Sequence, residues 1–469
     1  MTLPTGFRVR LGHGVQRCDD GATLVGGMPA RLLYLRPAAQ AALGDAGELA
    51  VLDPLTRNLA ELLLKRGVAD PVVTAEAGAI RLFDTTIVVP VKDRSESLDR
   101  LLGSLPREVG VIVVDDGSRD SAAIFDVARR HQARLLRSAV STGPAAARNR
   151  GLREVSTTYV AFVDSDVVAG GSWLGTLLAH FDDPEVGLVA PRIRGLASGE
   201  RSWIGLYESA RSSLDLGPHA AAVQPRGWVS YVPSACLVAR VEALGDGFDE
   251  SLHVAEDVDL IWRIVAQGWR VRYEPTAFVR HDHRVTIGPW LLRKHFYGTG
   301  AALLAKRHGA LVAPVVVAPW SAVVVGALMA QKRWSLPVAA GLSAAVAVRL
   351  SGKLTHSPRP AVTAATMTGN GVLSAVWQAA RTLTRHWWPL AAVGSIFSKR
   401  IRRATLVAGI AEGLADYAEV RPDLDPVRYV VARRLDDLAY GSGLWWGSLR
   451  AGSLRALLPS GGKVRVRAE

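Results

Sequence analysis

Carboxylates mark the points along this chain where chemistry is available. Asp93 follows the apolar run Thr85–Val91, Asp115 and Asp116 follow Val109–Val114, and Asp164 and Asp166 follow Thr158–Val163. Acids at the exits of buried runs are costly unless a cation or hydrogen-bond donors neutralise them. Each one alone can be read as an N-cap for the next helix, where Asp is favoured. As a set they argue for a bound divalent cation or a polar ligand. Asp164-Ser165-Asp166 is the most informative group. Carboxylates at i and i+2 can meet one ligand if the chain turns there, and oxygen donors suit Mg2+ or Mn2+, which bind phosphate oxygens at the same time. A further acidic group, Glu256-Asp257-Val258-Asp259, stands ahead of a predicted helix Leu260–Gln267 that contains Arg263. A carboxylate there can take the proton of a hydroxyl nucleophile. Its structural alternative is capping of the helix and complementation of its dipole.

The elements that hold these residues read as an α/β domain. Thr85–Val91 is a continuous β-branched run, the pattern of a strand buried on both faces. Helical Leu98–Leu105, strand Val109–Val114, helical Ser121–His131, strand Leu135–Arg137, helical Ala145–Glu154 and strand Thr158–Val163 follow in order. Such alternation predicts a mostly parallel, right-handed, Rossmann-like sheet, with ligands beyond the carboxyl ends of its strands. Ahead of it, strands at Thr23–Val25 and Arg31–Leu35 flank the turn Gly26-Gly27, and helices are expected at Pro37–Leu43 and Leu55–Arg66. This predicts a small winged-helix-type domain over residues 1–80, a sheet domain over 81–300 and an apolar, largely helical region over 301–469.

The ordered segments Ile87–Arg94, Val113–Asp120, Gly143–Gly151, Phe162–Asp166, Gly247–Glu250 with Glu256–Leu260, and the later His281 and Phe296-Tyr297-Gly298, resemble the motif series of family 2 glycosyltransferases with the GT-A fold. The resemblance covers about 215 residues. It implies transfer of a sugar from a nucleotide-sugar donor. Pro90, Asp93, Asp115 and Asp116 would contact the nucleoside, and Arg148 and Asn149 the diphosphate or donor sugar. Asp164 and Asp166 would hold a Mg2+ or Mn2+ ion that bridges the diphosphate, with His281 as a further ligand or a phosphate contact. Asp257 would be the catalytic base, with Glu256 and Arg263 on the acceptor side; one base and no covalent partner imply inversion. Processive synthases of the family carry Gln-x-x-Arg-Trp after the base. This chain has Gln267-Gly268-Trp269-Arg270 instead, which disfavours an extruding polysaccharide synthase.

Composition narrows the setting. The 469 residues are 49% apolar and 21% charged, which excludes a disordered chain. Arginine dominates the 56 cations, and the formal charge is +13. Read as evenly spread, the excess argues only weakly for nucleic acid and fits phosphate substrates or an acidic membrane surface. Two cysteines cannot make a disulfide framework, and Met1–Arg10 lacks a signal-peptide core. No Gly-x-Gly-x-x-Gly follows the first sheet strand, which disfavours a dinucleotide-dependent oxidoreductase. Ala310–Gln331 runs 22 residues without a charge and Trp334–Val348 another 15, against a bilayer core of roughly 30 Å. Cations crowd their ends, and Trp387-Trp388 and Trp445-Trp446 read as interfacial anchors. These features predict a membrane location with the catalytic domain facing the cytoplasm. Arg17–Gly21, Val25–Pro29 and Leu32–Leu35 resemble the N-terminal segment of mycofactocin-pathway glycosyltransferases. That resemblance implies UDP-glucose as donor and a peptide-derived redox cofactor or its precursor as acceptor; the alternative acceptor is a lipid-linked cell-envelope glycan.

Overall fold

The computed structural model describes residues 2–27, 31–196, 202–282, 286–354, 357 and 359–461; Met28 and Pro29 of the N-terminal motif lie outside them. Two compact units emerge, one within residues 1–198 and 212–283, the other within 199–211 and 284–466.

The first unit opens with β1 (Arg8–Leu11), β2 (Gln16–Cys18), β3 (Thr23–Gly26), β4 (Arg31–Tyr34), α1 (Pro37–Leu43), β5 (Glu48–Ala50), α2 (Pro54–Lys65) and β6 (Ala69–Pro71). They make two three-stranded antiparallel sheets, β5-β1-β6 and β2-β3-β4. Asp53 and Thr56 form a reciprocal capping box on α2, whose apolar face (Leu59, Leu63) enters a core with Val9, Leu24 and Leu49.

After the short α3 (Ala75–Gly78) come β7 (Thr85–Val91), α4 (Ser95–Ser104), β8 (Gly110–Asp116), α5 (Ser121–Arg130), β9 (Arg134–Ser138), α6 (Pro144–Leu152), β10 (Tyr159–Val163), β11 (Val167–Ala169), α7 (Trp173–Ala179) and β12 (Val186–Gly195). Beyond α8 (Trp203–Arg211), which belongs to the second unit, follow β13 (Ala221–Val223), β14 (Cys236–Arg240), α9 (Val241–Leu244), α10 (Glu256–Ala266) and β15 (Arg270–His281). Nine strands share one sheet, in the order β11-β15-β12-β14-β10-β7-β8-β9 with β13 beside β15. The α/β fold class is as the alternation predicts. Its parallel character holds for β9, β8, β7 and β10. Beyond β10 the helix–strand alternation stops, so β14 can add antiparallel without a crossover helix and the sheet becomes mixed.

Register decides what meets. Val91 lies opposite Asp115 on the β7–β8 pair, so Asp93 and Asp116 leave the same end of the sheet. Val167 lies opposite His281, which brings the end of β15 beside the Asp164–Asp166 turn. The predicted helix Leu260–Gln267 starts earlier, at Glu256: the acidic residues form its first turn, where they complement the dipole, rather than preceding it.

The second unit holds α8, α11 (Ile287–His308), β16 (Val316–Val317), α12 (Pro319–Ala330), α13 (Ser335–Ser351), α14 (Pro360–Arg381), α15 (Trp388–Phe397), α16 (Lys399–Val420) and α17 (Pro426–Arg450). A Cβ on Gly443 would fall 1.8 Å from the His295 carbonyl, so glycine sets how closely α17 approaches α11. Between the helices, Lys294 pairs with Glu208 (2.8 Å) and Asp436 (3.3 Å), and Arg433 with Glu412 (2.8 Å). The uncharged run Ala310–Gln331 is not one helix: a turn, β16 and Pro319 divide it, leaving the 12-residue α12. At 17 residues, α13 extends only about 25 Å. Among the described residues no helix is long and apolar enough to cross a membrane, which corrects the expectation of spans there. The indole N–H groups of Trp387 and Trp445 donate inward, to the Leu457 and His386 carbonyls.

Gly151 on α6 faces β7, where a Cβ would lie 2.3 Å from Val88 Cγ1. Gly151→Ala is expected to destabilise the first unit by about 1–3 kcal/mol through overpacking, read as a lowered thermal midpoint.

Candidate active site

The residues expected on the donor side are organised by short hydrogen bonds at the carboxyl end of β7 and β8. Pro90 lies past the last β7–β10 pair, so its missing N–H costs no bond on that side. Asp93, in the left-handed region at φ 55°, donates its N–H to Ser118 Oγ (2.9 Å) and accepts from the Arg119 N–H (2.7 Å). Asp115 is fully buried, accepts from the Ser118 N–H (2.9 Å) and lies 3.8 Å from Arg137 Nε. A shallow pocket is lined by Asp93, Arg94, Ser95, Arg119, Asp120 and Ile124.

Asp116, expected at the nucleoside, is tied to the loop ahead of α6. Its carboxylate accepts from Ser141 Oγ (2.7 Å), the Thr142 N–H (2.8 Å) and the Gly143 N–H (2.9 Å). Burial opposes its ionisation, but these donors outweigh it and hold the carboxyl below its ordinary range. Asp116 therefore shapes the loop that leads into α6.

Arg148 and Asn149 stand in the second turn of α6 and point to different partners. Arg148, 3% exposed, sends Nη2 to Asp164 Oδ1 (2.6 Å) and Nη1 to Glu256 Oε1 (3.2 Å), and stacks on the Phe248 ring at 5.3 Å. Burial works against its charge, but Asp164 and Glu256 hold its pKa above the ordinary value. Asn149, expected on the diphosphate or donor sugar, bonds to the Phe248–Glu250 segment. Its Nδ2 donates to the Phe248 carbonyl (2.7 Å) and Glu250 (2.9 Å), and its Oδ1 accepts from the Phe248 N–H (2.8 Å). It fastens the Gly247–Glu250 segment to α6.

Asp166 is paired with Arg94 and lies 3.3 Å from His281 Nε2. Burial raises its pKa, but the His281 and Arg94 contacts prevail and hold the carboxyl well below the usual carboxylate range. His281 is moved the other way: burial disfavours its charge, yet Asp166 raises its pKa overall. The motifs assign Arg94 no role; its signal in the sequence is a cation three residues past the end of β7.

Ala255 takes a left-handed φ of 64° and starts α10, the helix expected on the acceptor side. Asp257, half-buried, accepts from the Val258 N–H at 2.8 Å. Burial and the neighbouring Glu256 carboxylate push its pKa up to about 7, against the Val258 N–H, the Arg148 guanidinium and the Ser234 N–H. A carboxylate poised near neutrality is what general-base catalysis uses. Arg263 pairs with Asp259 (2.9 Å) and donates to the Gly247 carbonyl (2.6 Å), bracing α10.

Asp164, Asp166 and His281 offer oxygen and imidazole donors around one turn. Among the described residues no three His, Cys, Asp or Glu side chains form a ready ligand cluster. Such a sparse set fits a cation that completes its shell with phosphate oxygens and water rather than with protein.

Removing Arg148 leaves Asp164 and Glu256 without their shared cation. Arg148→Met is expected to cost about 3–5 kcal/mol of stability, measured by chemical denaturation.

Comparison with known proteins agrees with the motifs. The family model "Glycosyl transferase family 2" matches residues 86–248. The chain is 43% identical over 473 residues to the pre-mycofactocin glycosyltransferase of Mycobacterium tuberculosis, in strains CDC 1551 and H37Rv, covering 97% of this chain and 98% of that protein. It is also 25% identical over 218 residues to the poly-beta-1,6-N-acetyl-D-glucosamine synthase of Staphylococcus epidermidis, covering 45% and 52% of the two chains. Among solved structures it is similar to the mannosyltransferase PcManGT of Pyrobaculum calidifontis with GDP-Man and Mn2+, at 19% identity and TM-score 0.37, covering 62% of this chain and 85% of that one. GalNAc-T7 with UDP, GalNAc and Mn2+ is similar at 15% identity and TM-score 0.34, covering 43% of each chain. With near end-to-end likeness to a named glycosyltransferase and the family's motifs gathered at one sheet edge, this chain belongs to glycosyltransferase family 2 and is a glycosyltransferase.

Proposed function

We propose that this enzyme transfers a sugar, glucose from UDP-glucose, to a peptide-derived acceptor of the mycofactocin type, with inversion at the anomeric carbon and with a divalent cation. The observation that carries the chemistry is the Arg148 bridge between Asp164 and Glu256. It links the donor-side carboxylates to the helix turn that bears Asp257. The acceptor assignment is supported by likeness to the pre-mycofactocin glycosyltransferase of M. tuberculosis.

In this reading Asp257 takes the proton of the acceptor hydroxyl as its oxygen attacks the anomeric carbon. The bond from that carbon to the β-phosphate oxygen breaks, and the nucleoside diphosphate leaves. Asp164, Asp166 and His281 would hold the cation, which supplies charge neutralisation for the leaving diphosphate. Arg94 and Arg148 bring further positive charge to the same place. Asp93 and Asp115 are the nucleoside-side candidates, and Asp116 keeps the loop ahead of α6 in place.

The direct test incubates the purified enzyme with the precursor peptide and a panel of UDP-sugars, with products weighed by mass spectrometry. A hexose added from UDP-glucose is expected. Hexose found only on a lipid-linked glycan supplied in the same mixture would overturn the acceptor. Transfer is expected to stop in EDTA and to return on adding Mn2+ or Mg2+. Asp257→Asn is expected to lower kcat by about 10²–10⁴ while leaving donor binding measurable.

The pH profile has a definite sign. Asp257 accepts a proton only when ionised, so kcat/KM is expected to climb through the region near its pKa of about 7 and level off above it. Glu256→Gln removes a like charge that raises this pKa and should move the rising limb to lower pH.

A further inference from the structure

The cationic excess is not evenly spread, contrary to the sequence reading. Residues 283–411 contain no Asp or Glu across 129 positions and 16 Lys or Arg, so they carry more than the whole net charge. Within that stretch the helices leave apolar side chains in the open. Of the 17 residues of α13, Ser335 and Ala339 are the buried ones, while Leu336 and Val348 are 71% and 72% exposed. Of α15, Ala391 alone is buried; the helix has no charged residue, and it ends on Ile396 and Phe397, 73% and 84% exposed. Exposed apolar surface on this scale marks an interaction site rather than a water-facing one.

Two residues past Phe397 the character inverts. Lys399, Arg400, Arg402 and Arg403 are all exposed and crowd the start of α16. That is the positive end of the helix dipole, where cations are disfavoured, and residues three and four apart on a helix repel when their charges match. Arg402 and Arg403 donate to neutral oxygens, the Ser395 carbonyl and the Gln331 amide. A helix start that carries four cations is favourable only against anions. Apolar side chains running directly into such a cationic collar fit an interface with hydrocarbon on one side and phosphate on the other.

We propose that the second unit seats in the plane of one leaflet of an anionic phospholipid bilayer, with the end of α15 inserted among the acyl chains and the first turn of α16 on the headgroup phosphates. The helices involved then lie in the interface and need not cross it, consistent with their lengths. The proposal goes beyond the sugar-transfer reading and does not rest on it, because lipid binding is read without turnover.

The test floats the purified full chain with vesicles of phosphatidylcholine alone and of phosphatidylcholine containing about one-third phosphatidylglycerol, at physiological and at molar salt. Flotation with the anionic vesicles that largely survives molar salt is expected, since salt screens charge but barely weakens apolar burial. The double variant Ile396→Asp, Phe397→Asp is expected to weaken binding by at least about tenfold, with an unchanged thermal midpoint because both side chains are exposed. Lys399→Gln with Arg400→Gln should lower the preference for phosphatidylglycerol by about fivefold or more while sparing residual binding to phosphatidylcholine. Complete release by salt, or binding indifferent to Ile396→Asp, Phe397→Asp, overturns the insertion. So does a chain that ignores both vesicle types and buries the apolar face in a dimer, seen by sedimentation.

Discussion

A single buried guanidinium organises the site. Arg148 is nearly inaccessible to water and cannot be neutralised by losing its proton, so its burial is tolerable only with carboxylates against it. Asp164 and Glu256 supply them from opposite sides. One comes from the turn after a parallel strand, the other from the start of a helix more than ninety residues later. Each needs the same cation, so the two turns are tied together before any substrate arrives. Asn149, the next residue, does the complementary work by binding Phe248 at both its N–H and its carbonyl. Phe248 then lies under the guanidinium as an aromatic floor.

Around that bridge, carboxylates of the same chemical type are driven apart. Asp166 is surrounded by Arg94 and His281 and stays ionised far into acid. Asp257 is desolvated and sits beside Glu256, with a pKa raised towards neutrality. Neighbouring cations hold one carboxyl down, and desolvation beside a like charge lifts the other. The division follows from neighbours, not from residue type.

Much of this was readable beforehand, and the failures have physical causes. Strands buried on both faces announce themselves as β-branched runs, so β7 was placed to the residue and β8 and β10 to within two. Motif spacing picked out the carboxylates because each follows such a run. It could not tell which were engaged by the fold itself. Asp116, Asn149 and Arg263 carry polar groups suited to a ligand, yet their partners are backbone groups and side chains of this chain. Those partners lie many residues away, and only folding brings them into reach. Uncharged length misled for a related reason. Ala310–Gln331 has the hydropathy of a span, but two prolines and a short strand break it.

The linear order of residues was sufficient for the kind of protein: an α/β sheet with acids at strand exits, motifs in family order, and an apolar, basic C-terminal stretch. These are local properties, set by side-chain type and by spacing of two or three to four residues. Which acid meets which base is a matter of register and packing. Val167 opposite His281, and α6 pressed onto β7 through Gly151, are contacts between segments distant along the chain. Proton affinity depends on desolvation and on charges within a few ångströms, so the separation of Asp257 from Asp166 exists only once the chain has closed around Arg148.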